Sequence, residues 1–209
     1  TENGIIGEDS LNMATRRWLA GLMMAAWFFP VAAYGAAAFT FDYTFKAESE
    51  PKGFRGIKWQ QALSTLDPFN TMDLLELVGP SAFYRKYSEN LTLGSAKLQT
   101  ITYEFWNGKF AGVVIKVKGP EDYRKLREYC FNQYGPGKRS QVYASMDVQD
   151  FVWNGYLTKM YLRYSDMDRM GELGLYSIAI LNKKQRADNL FIKELDKGLL
   201  KEWEKPKSK

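Results

Sequence analysis

The sequence of 209 residues contains no histidine and a single cysteine, Cys130. Without histidine, Ser-His-Asp and Cys-His nucleophilic catalysis, imidazole acid–base chemistry and almost every zinc or copper site are excluded. One cysteine makes neither an internal disulfide nor an iron–sulfur or Cys-rich zinc site. An enzyme of this composition would depend on carboxylates with Lys or Tyr, and we expect no metal and no other cofactor.

The overall composition is typical of a globular protein. Hydrophobic residues make up 45% of the chain, charged residues 25% and aromatic residues 15%, a share of aromatics that suits β-sheets and binding faces. The formal net charge is only +5. Such a small basic excess is typical of a solubility feature, so we expect no nucleic-acid partner.

The N-terminal region has the pattern of an export signal. Residues 1–12 are polar and acidic, and we interpret them as a non-native or disordered upstream extension, with Met13 as the initiator. Arg16 and Arg17 then precede an uncharged run over 18–41, which contains three alanines at 36–38. A basic start, an apolar centre and small residues at the end predict a signal peptide over 13–38 and a periplasmic or secreted domain.

A membrane anchor is the competing interpretation of the same run, because its length is sufficient to span a bilayer. The protein would then be held in the inner membrane by its N-terminus, and a membrane contact is expected only in this case. Either interpretation places the domain outside the cytoplasm. Pro30 and the small residues after it favour cleavage.

The remaining chain divides into three parts. Residues 39–53 predict an arm or linker, residues 54–182 an α+β domain, and residues 183–209 a C-terminal helix with a basic tail. Within the domain, two halves over 54–118 and 119–182 are one arrangement that the pattern allows. We predict a helix over 184–204 in the last part.

The segment 97–137 organises the domain. Two apolar runs flank Asn107-Gly108, the strongest short-range hairpin pattern, because both central residues of a type I′ turn need positive φ. A two-residue turn would place Phe105 opposite Phe110 and Tyr103 opposite Gly112. Both faces of this hairpin would then be largely apolar, which predicts a central position in the sheet or a second face that binds a ligand.

A helix follows the hairpin, over 121–134. Two acidic residues open it and Gly135-Pro136 ends it. Its apolar stripe includes Cys130, which we expect to be a buried small hydrophobe. The opposite side carries three cations, for which a solvated surface is the ordinary interpretation and an anion-facing role the alternative. These three are Arg124, Lys125 and Arg127.

Three further strands are predicted over 141–153, 156–164 and 173–181, and the first two are joined by Asn154-Gly155. This turn would place Asp150 opposite Lys159 as a cross-strand ion pair. The segments 60–66 and 72–78 predict a short helix and an element that the pattern leaves open between helix and strand. The loop 165–172 fails as a calcium site. Counted from Asp166, the fifth and twelfth positions of a calcium-binding loop would be Met170 and Ser177, which are not ligands of the required kind.

These patterns predict an α+β protein in which antiparallel sheets with Asn-Gly hairpins are packed by one central and one C-terminal helix. A Gly-Pro stop followed by strands with a Trp-Asn-Gly turn occurs twice, at Gly79-Pro80 with 106–108 and at Gly135-Pro136 with 153–155. A tandem duplicated helix/β-meander unit is therefore one possible architecture.

This combination resembles the β-lactamase-inhibitor-protein and BamE-type folds, in which helices and β-meanders alternate. The resemblance rests on 77–80 with the hairpin 97–118, and on 133–136 with the strands after it. The chain also resembles small secreted bacterial proteins of unassigned function, over 54–181. BamE-like proteins are attached to lipid through a cysteine at the cleavage point, and this chain has none there.

Three functions are compatible with the sequence. The first is an exported, non-catalytic binding protein that contacts an unknown protein, glycan or lipid partner in the cell envelope through an aromatic sheet face. The second is a cell-wall glycan hydrolase that uses Glu104 with Asp147 or Asp150. The third is a membrane-anchored envelope structural protein. The candidate binding residues are Tyr103, Trp106, Trp153, Tyr156 and Tyr161.

Overall fold

The computed structural model describes residues 42–140 and 148–203, which form an α+β fold of antiparallel sheets with one central and one C-terminal helix, as predicted. The expected signal peptide 13–38, Asp147 with most of the strand predicted over 141–153, and the last six residues lie outside this part. No helix in the described part is long and apolar enough to cross a bilayer.

One large sheet dominates the fold. Its eight strands lie in the order β3-β4-β7-β8-β12-β11-β10-β9, and every neighbouring pair is antiparallel. Two small sheets, β1-β2 and β5-β6, stand apart from it. The strands are β1 (Gly53–Phe54), β2 (Ile57–Lys58), β3 (Met72–Val78), β4 (Ser81–Lys86), β5 (Thr92–Leu93), β6 (Ala96–Lys97), β7 (Thr100–Trp106), β8 (Lys109–Lys118), β9 (Lys138–Arg139), β10 (Val148–Asn154), β11 (Thr158–Ser165) and β12 (Met170–Ser177).

The helices are α1 (Pro68–Thr71), α2 (Gly119–Tyr134) and α3 (Ile178–Trp203), with a 3₁₀ turn at Leu63–Leu66. Four strands of the large sheet precede α2, and the other four precede α3. The last strands of the two sets, β8 and β12, pair with each other at the centre of the sheet. Each helix thus follows its four strands, whereas the predicted halves put α2 at the start of the second one. The duplication itself stays a prediction.

The β7–β8 hairpin turns at Asn107-Gly108, where both residues have positive φ, at 47° and 68°. Phe105 lies opposite Phe110 as predicted, but Ala111 is an extra residue in β8, and Tyr103 lies opposite Val113 instead of Gly112. A bulge of this kind shifts every later side chain of its strand to the other face. The expectation of two apolar faces was therefore wrong. Most apolar residues of both strands lie on one face, and only Trp106 and Val114 of the larger ones lie on the other.

That face forms the core with α2. The helix contributes Tyr123, Leu126 and Cys130, all buried, and Gly135 ends it by donating its backbone N–H to the carbonyl of Phe131. Cys130 is a buried small hydrophobe, as predicted, and burial raises the pKa of its thiol. Most of the other buried side chains come from the strands, and Phe45 and Ile180 of α3 are buried as well. The largest fully buried side chains in the described part of the chain are Trp153, Tyr103, Phe105, Phe110, Ile101, Ile115, Leu126, Met160, Leu162, Leu173, Leu175 and Ile180.

The second Asn-Gly pair does not make a two-residue turn. Asn154 lies opposite Lys159, and the loop between them is held by the Glu50 carboxylate, which accepts hydrogen bonds from the N–H groups of Leu157 and Thr158. The register therefore differs by four residues from the predicted one. Asp150 lies opposite Arg163 and not opposite Lys159, so the predicted ion pair was wrong.

The structure decides one open segment and changes two other elements from their predicted form. The open segment 72–78 is strand β3, and the helix predicted over 60–66 is a shorter 3₁₀ turn. Helix α3 begins at Ile178, whose N–H donates to the carbonyl of Leu157, so that the predicted third strand of 173–181 is cut short. Short apolar runs do not show their period, which explains these differences.

Candidate functional site

The five candidate aromatic residues do not form one surface. Tyr103 and Trp153 are fully buried on the core face, where the Tyr103 hydroxyl donates to Glu89 and the Trp153 ring N–H donates to the carbonyl of Gly135 at 2.9 Å. Both polar groups are satisfied internally, as buried Tyr and Trp require. These two residues serve the core, and we do not include them in a binding surface.

Tyr156 lies in the loop after β10 and is 71% exposed. Its ring stacks on Tyr43 at 5.3 Å between centroids, so it covers the N-terminal arm at the edge of the molecule. Trp106 and Tyr161 both lie on the face of the large sheet opposite α2, which we call the second face. The register places Trp106 on β7 near one end of that face and Tyr161 on β11 near its middle.

The three cations of α2 lie away from the second face. Arg124 pairs with Glu128 at 2.7 Å, and Lys125 pairs with Glu121 at 2.7 Å. The hydrogen bond from Lys125 lowers the pKa of the Glu121 carboxyl and raises that of the lysine. Arg127, which lies on the same helix, is half-buried. Two of the three charges are thus neutralised by carboxylates of their own helix, and the geometry does not support the anion-facing role.

A row of alternating charges crosses four strands of the second face. The register pairs Asp150 with Arg163, Arg163 with Glu172, and Glu172 with Lys116. Directly opposed residues of antiparallel strands share a face, and opposite charges at such positions attract. Lys116 Nζ lies 4.0 Å from Glu172 Oε2. The row therefore presents acid, base, acid and base in an ordered line.

Two tyrosine rings lie flat on the sheet beside this row. A side chain at Gly174 would overlap the ring of Tyr161, and one at Gly112 would overlap the ring of Tyr176. The rings lie 6.1 Å apart between centroids, with their planes 21° apart. Glycine within a strand is typical of a place where another group approaches the backbone closely. The two glycines thus create the space in which the rings lie.

The aromatic and charged groups are joined by direct contacts. The Tyr161 hydroxyl donates to Glu172, and the Arg163 guanidinium carbon lies 4.7 Å from the centroid of the Tyr161 ring. Burial, reinforced by neighbouring phenol and carboxylate groups, raises the pKa of Tyr161, and burial also raises that of Tyr176. Both phenols are therefore neutral hydrogen-bonding groups near neutral pH.

Glu104 is a buried carboxylate on the second face, on β7 two residues before Trp106. The Ser81 hydroxyl donates to Glu104 Oε1 at 2.7 Å, and the same oxygen forms an ion pair with Lys184 of α3. Ile180, one turn earlier on α3, is also buried. A buried carboxylate needs such partners to remain charged. Glu104 thus anchors the first two turns of α3 at the second face.

The carboxylates suggested for a hydrolase are far apart. In the sheet order Glu104 on β7 and Asp150 on β10 are separated by β8, β12 and β11. Four strand spacings of about 4.8 Å amount to roughly 19 Å. Glycosidases hold their two carboxylates about 5–9.5 Å apart. Burial raises the pKa of Asp150, but this residue has no catalytic partner in Glu104.

Sequence reasoning missed four residues of this face: Arg163, Glu172, Tyr176 and Lys184. The bulge at Ala111 and the longer turn after Asn154 decide which residues face each other, and neither has a local pattern. The isolated glycines Gly112 and Gly174 within apolar strands were the available indication.

Within residues 42–140 and 148–203, no group of three or more acidic or cysteine side chains is arranged to hold a metal ion. The chain matches no protein-family model, no curated protein and no solved structure.

Proposed function

We propose that this chain is an exported, non-catalytic interaction protein that binds a protein partner on the second face of its large sheet. The observation that carries the proposal is the ordered assembly of Tyr161, Tyr176 and the charged row on a face opposite the helix-covered core. Export is supported by the sequence pattern of residues 13–38.

The composition of this face supports a protein partner. Tyr, Trp and Arg are the residue types that contribute most binding energy at protein interfaces, and Trp106, Tyr161, Arg163 and Tyr176 all lie here. The positions of Tyr161, Arg163 and Tyr176 are set by glycine spaces, ring contacts and paired charges before any partner arrives. Such ordering lowers the entropic cost of binding.

The second face has little cover of its own. In the described part of the chain, α2 packs on the opposite face, and α3 reaches the second face with its first two turns, through Ile180 and Lys184. Beyond those turns, residues 185–194 of α3 are exposed. The centre of the face, from Lys116 to Arg163, thus keeps its side chains only partly buried or exposed.

A photo-crosslinking amino acid at Lys116 tests the proposal in cells of the source organism. Lys116 is exposed and belongs to the charged row, so we expect a discrete adduct with one envelope protein. The same amino acid at Arg124, exposed on α2, is the matched control and should give no such adduct. The variant Tyr161→Ala should weaken the Lys116 adduct severalfold. Equal adducts from both positions would overturn the proposal.

N-terminal sequencing of the protein from the extracytoplasmic fraction tests the export part separately. A chain that begins near Phe39 supports cleavage of the signal peptide. A chain that retains Met13 in the membrane fraction would replace the cleaved form with an anchored one. A protein found only in the cytoplasm would refute export.

A further inference from the structure

The two edges of the large sheet are built differently. One edge is β9, a two-residue strand in which both residues are basic, Lys138 and Arg139. Very short edge strands and charged side chains are the devices by which proteins prevent unwanted pairing. The opposite edge is β3, which has seven residues and pairs only with β4 in the described part of the chain. Only one edge is thus protected.

The unprotected edge is apolar and exposed. Four hydrophobic side chains of β3, two on each side of Glu76 in the sequence, are between 41% and 67% exposed: Leu74 47%, Leu75 47%, Leu77 67% and Val78 41%. Leu74 and Leu77 lie on one face of the strand and Val78 on the other, so both faces of this edge are apolar. An edge of this kind is a template for the addition of another strand.

A bulge at Leu75 interrupts the ladder of β3 with β4. Bulges on edges also act against pairing, because they twist the strand. Here the bulge leaves the residues from Glu76 to Val78 in regular register with β4, and this part includes the most exposed leucine. The bulge therefore limits the length of an added strand without closing the edge.

The negative charge of this edge favours a basic partner segment. From Trp59 to Tyr84 the chain contains Asp67, Asp73 and Glu76 and no Lys or Arg, although the whole protein carries a net charge of +5. Arg85 pairs with Asp73 at 2.7 Å, whereas Glu76 is exposed in the middle of the strand. A second copy of β3 would bring acidic strands together, and like charges on paired strands repel.

We propose that β3 is the docking edge for an extended, apolar segment of a partner protein that carries Lys or Arg. The segment adds to the sheet as a ninth strand, its backbone N–H and C=O groups pair with those of β3, and its cation lies beside Glu76. The site is the edge of the sheet, three strands away from Lys116, and it does not depend on the proposed function.

Two peptides of identical apolar content test the proposal. The probe is Ac-MKLLKLV-amide, which is the sequence of β3 with both acids replaced by Lys, and the control is the natural sequence, Ac-MDLLELV-amide. Opposite charges on paired strands attract and like charges repel, so the Lys peptide should bind roughly fivefold more tightly. Binding is measured by fluorescence anisotropy at two salt concentrations, and by protection of the β3 amides from hydrogen exchange.

Three variants assign the site. Glu76→Lys should reverse the preference between the peptides, and Leu77→Lys should weaken both severalfold. Leu190→Lys is the matched control, because Leu190 is 64% exposed on α3, and it should change neither affinity. Each replacement is at an exposed position, and circular dichroism verifies that the variants fold.

Three results would overturn the proposal. Equal binding of the two peptides would show that charge does not select the added strand, and binding of neither would show that no strand adds to β3. Tighter binding of the acidic peptide, together with a dimer in light scattering that Leu77→Lys dissociates, would make a second copy of the chain the occupant. The crosslinking test concerns Lys116 on β8 and the peptide test concerns the edge strand β3, so the two proposals fail independently.

Discussion

At the scale of single residues, Gly174 and Gly112 determine the second face more than any charged side chain does. Neither has positive φ, so neither is needed for a turn. Both are needed because a Cβ would occupy the space of a tyrosine ring, Tyr161 in one case and Tyr176 in the other. A glycine in a strand interior weakens the strand, and the ring that fills the space offsets that cost.

Gly174→Ala should therefore destabilise the protein by about 1–3 kcal/mol, the usual effect of overfilling a packed site. Chemical denaturation in urea measures it. The control is the same substitution in a Tyr161→Ala background, where the ring is absent and alanine meets open space. There the substitution should cost close to nothing. Equal losses in both backgrounds would mean that Gly174 does not act through Tyr161.

At the scale of secondary-structure elements, the attachment of α3 combines the buried Ile180 with one ion pair. Among the described side chains of this helix, up to residue 194, those of the first two turns reach the sheet. There Lys184 meets the Glu104 carboxylate, and the side chains of Glu104 and Lys184 are 9% and 15% exposed. The removal of one partner of a buried pair costs more than the pair contributes, because it leaves a buried charge behind.

Lys184→Met should destabilise the fold by about 2–3 kcal/mol, less than the loss of one partner of a fully buried pair, because the lysine is partly exposed. The amides of the first turns of α3 should lose protection from hydrogen exchange before those of α2. Lys183→Met, at an exposed neighbouring position, is the control and should have no effect. Addition of Glu104→Gln to Lys184→Met should restore most of the stability. A Lys184→Met protein as stable as the control would exclude the anchoring role.

The elements also show which parts of the fold the sequence could predict. Asn107-Gly108 and the helix that ends at Gly135 depend on local dihedral preferences, and both were predicted. The extra residue Ala111 and the loop after Asn154 depend on contacts with distant residues, among them Glu50. Because the side-chain period of a strand is two, one extra residue decides which face a side chain joins. Ala111 therefore brings Val113 and Ile115 to the core face of Tyr103, and the two apolar faces predicted for this hairpin do not form.

At the scale of the whole molecule, the N-terminal arm joins the two strand sets. The arm lies within the region predicted as an arm or linker, 39–53, and its described part is bound to the rest of the domain. Thr44 exchanges backbone and side-chain hydrogen bonds with Asn154, Lys46 donates its N–H to Tyr134, and Phe45 is buried. The chain then continues into β1, which precedes the first set of strands.

Removal of the arm should destabilise the domain strongly. A chain that begins at residue 54 loses the buried Phe45 and the Glu50 contacts, and loss of a buried Phe side chain alone costs about 3–5 kcal/mol. The matched control begins at residue 42 and retains the whole described arm. Thermal unfolding followed by circular dichroism compares the two. Equal melting temperatures of the two chains would show that residues 42–53 do not stabilise the domain and act only as a linker.

The central pairing of β8 with β12 has a consequence for the order in which the chain folds. Lys118 pairs with Met170, 52 positions later, so this contact closes a long loop. Contacts of high sequence separation form slowly, because the entropy of the intervening chain is lost first. While the chain is being synthesised, β7, β8 and α2 are complete before β12 exists. During that interval β8 presents an apolar edge that the finished protein conceals, so aggregation during synthesis should start from this strand.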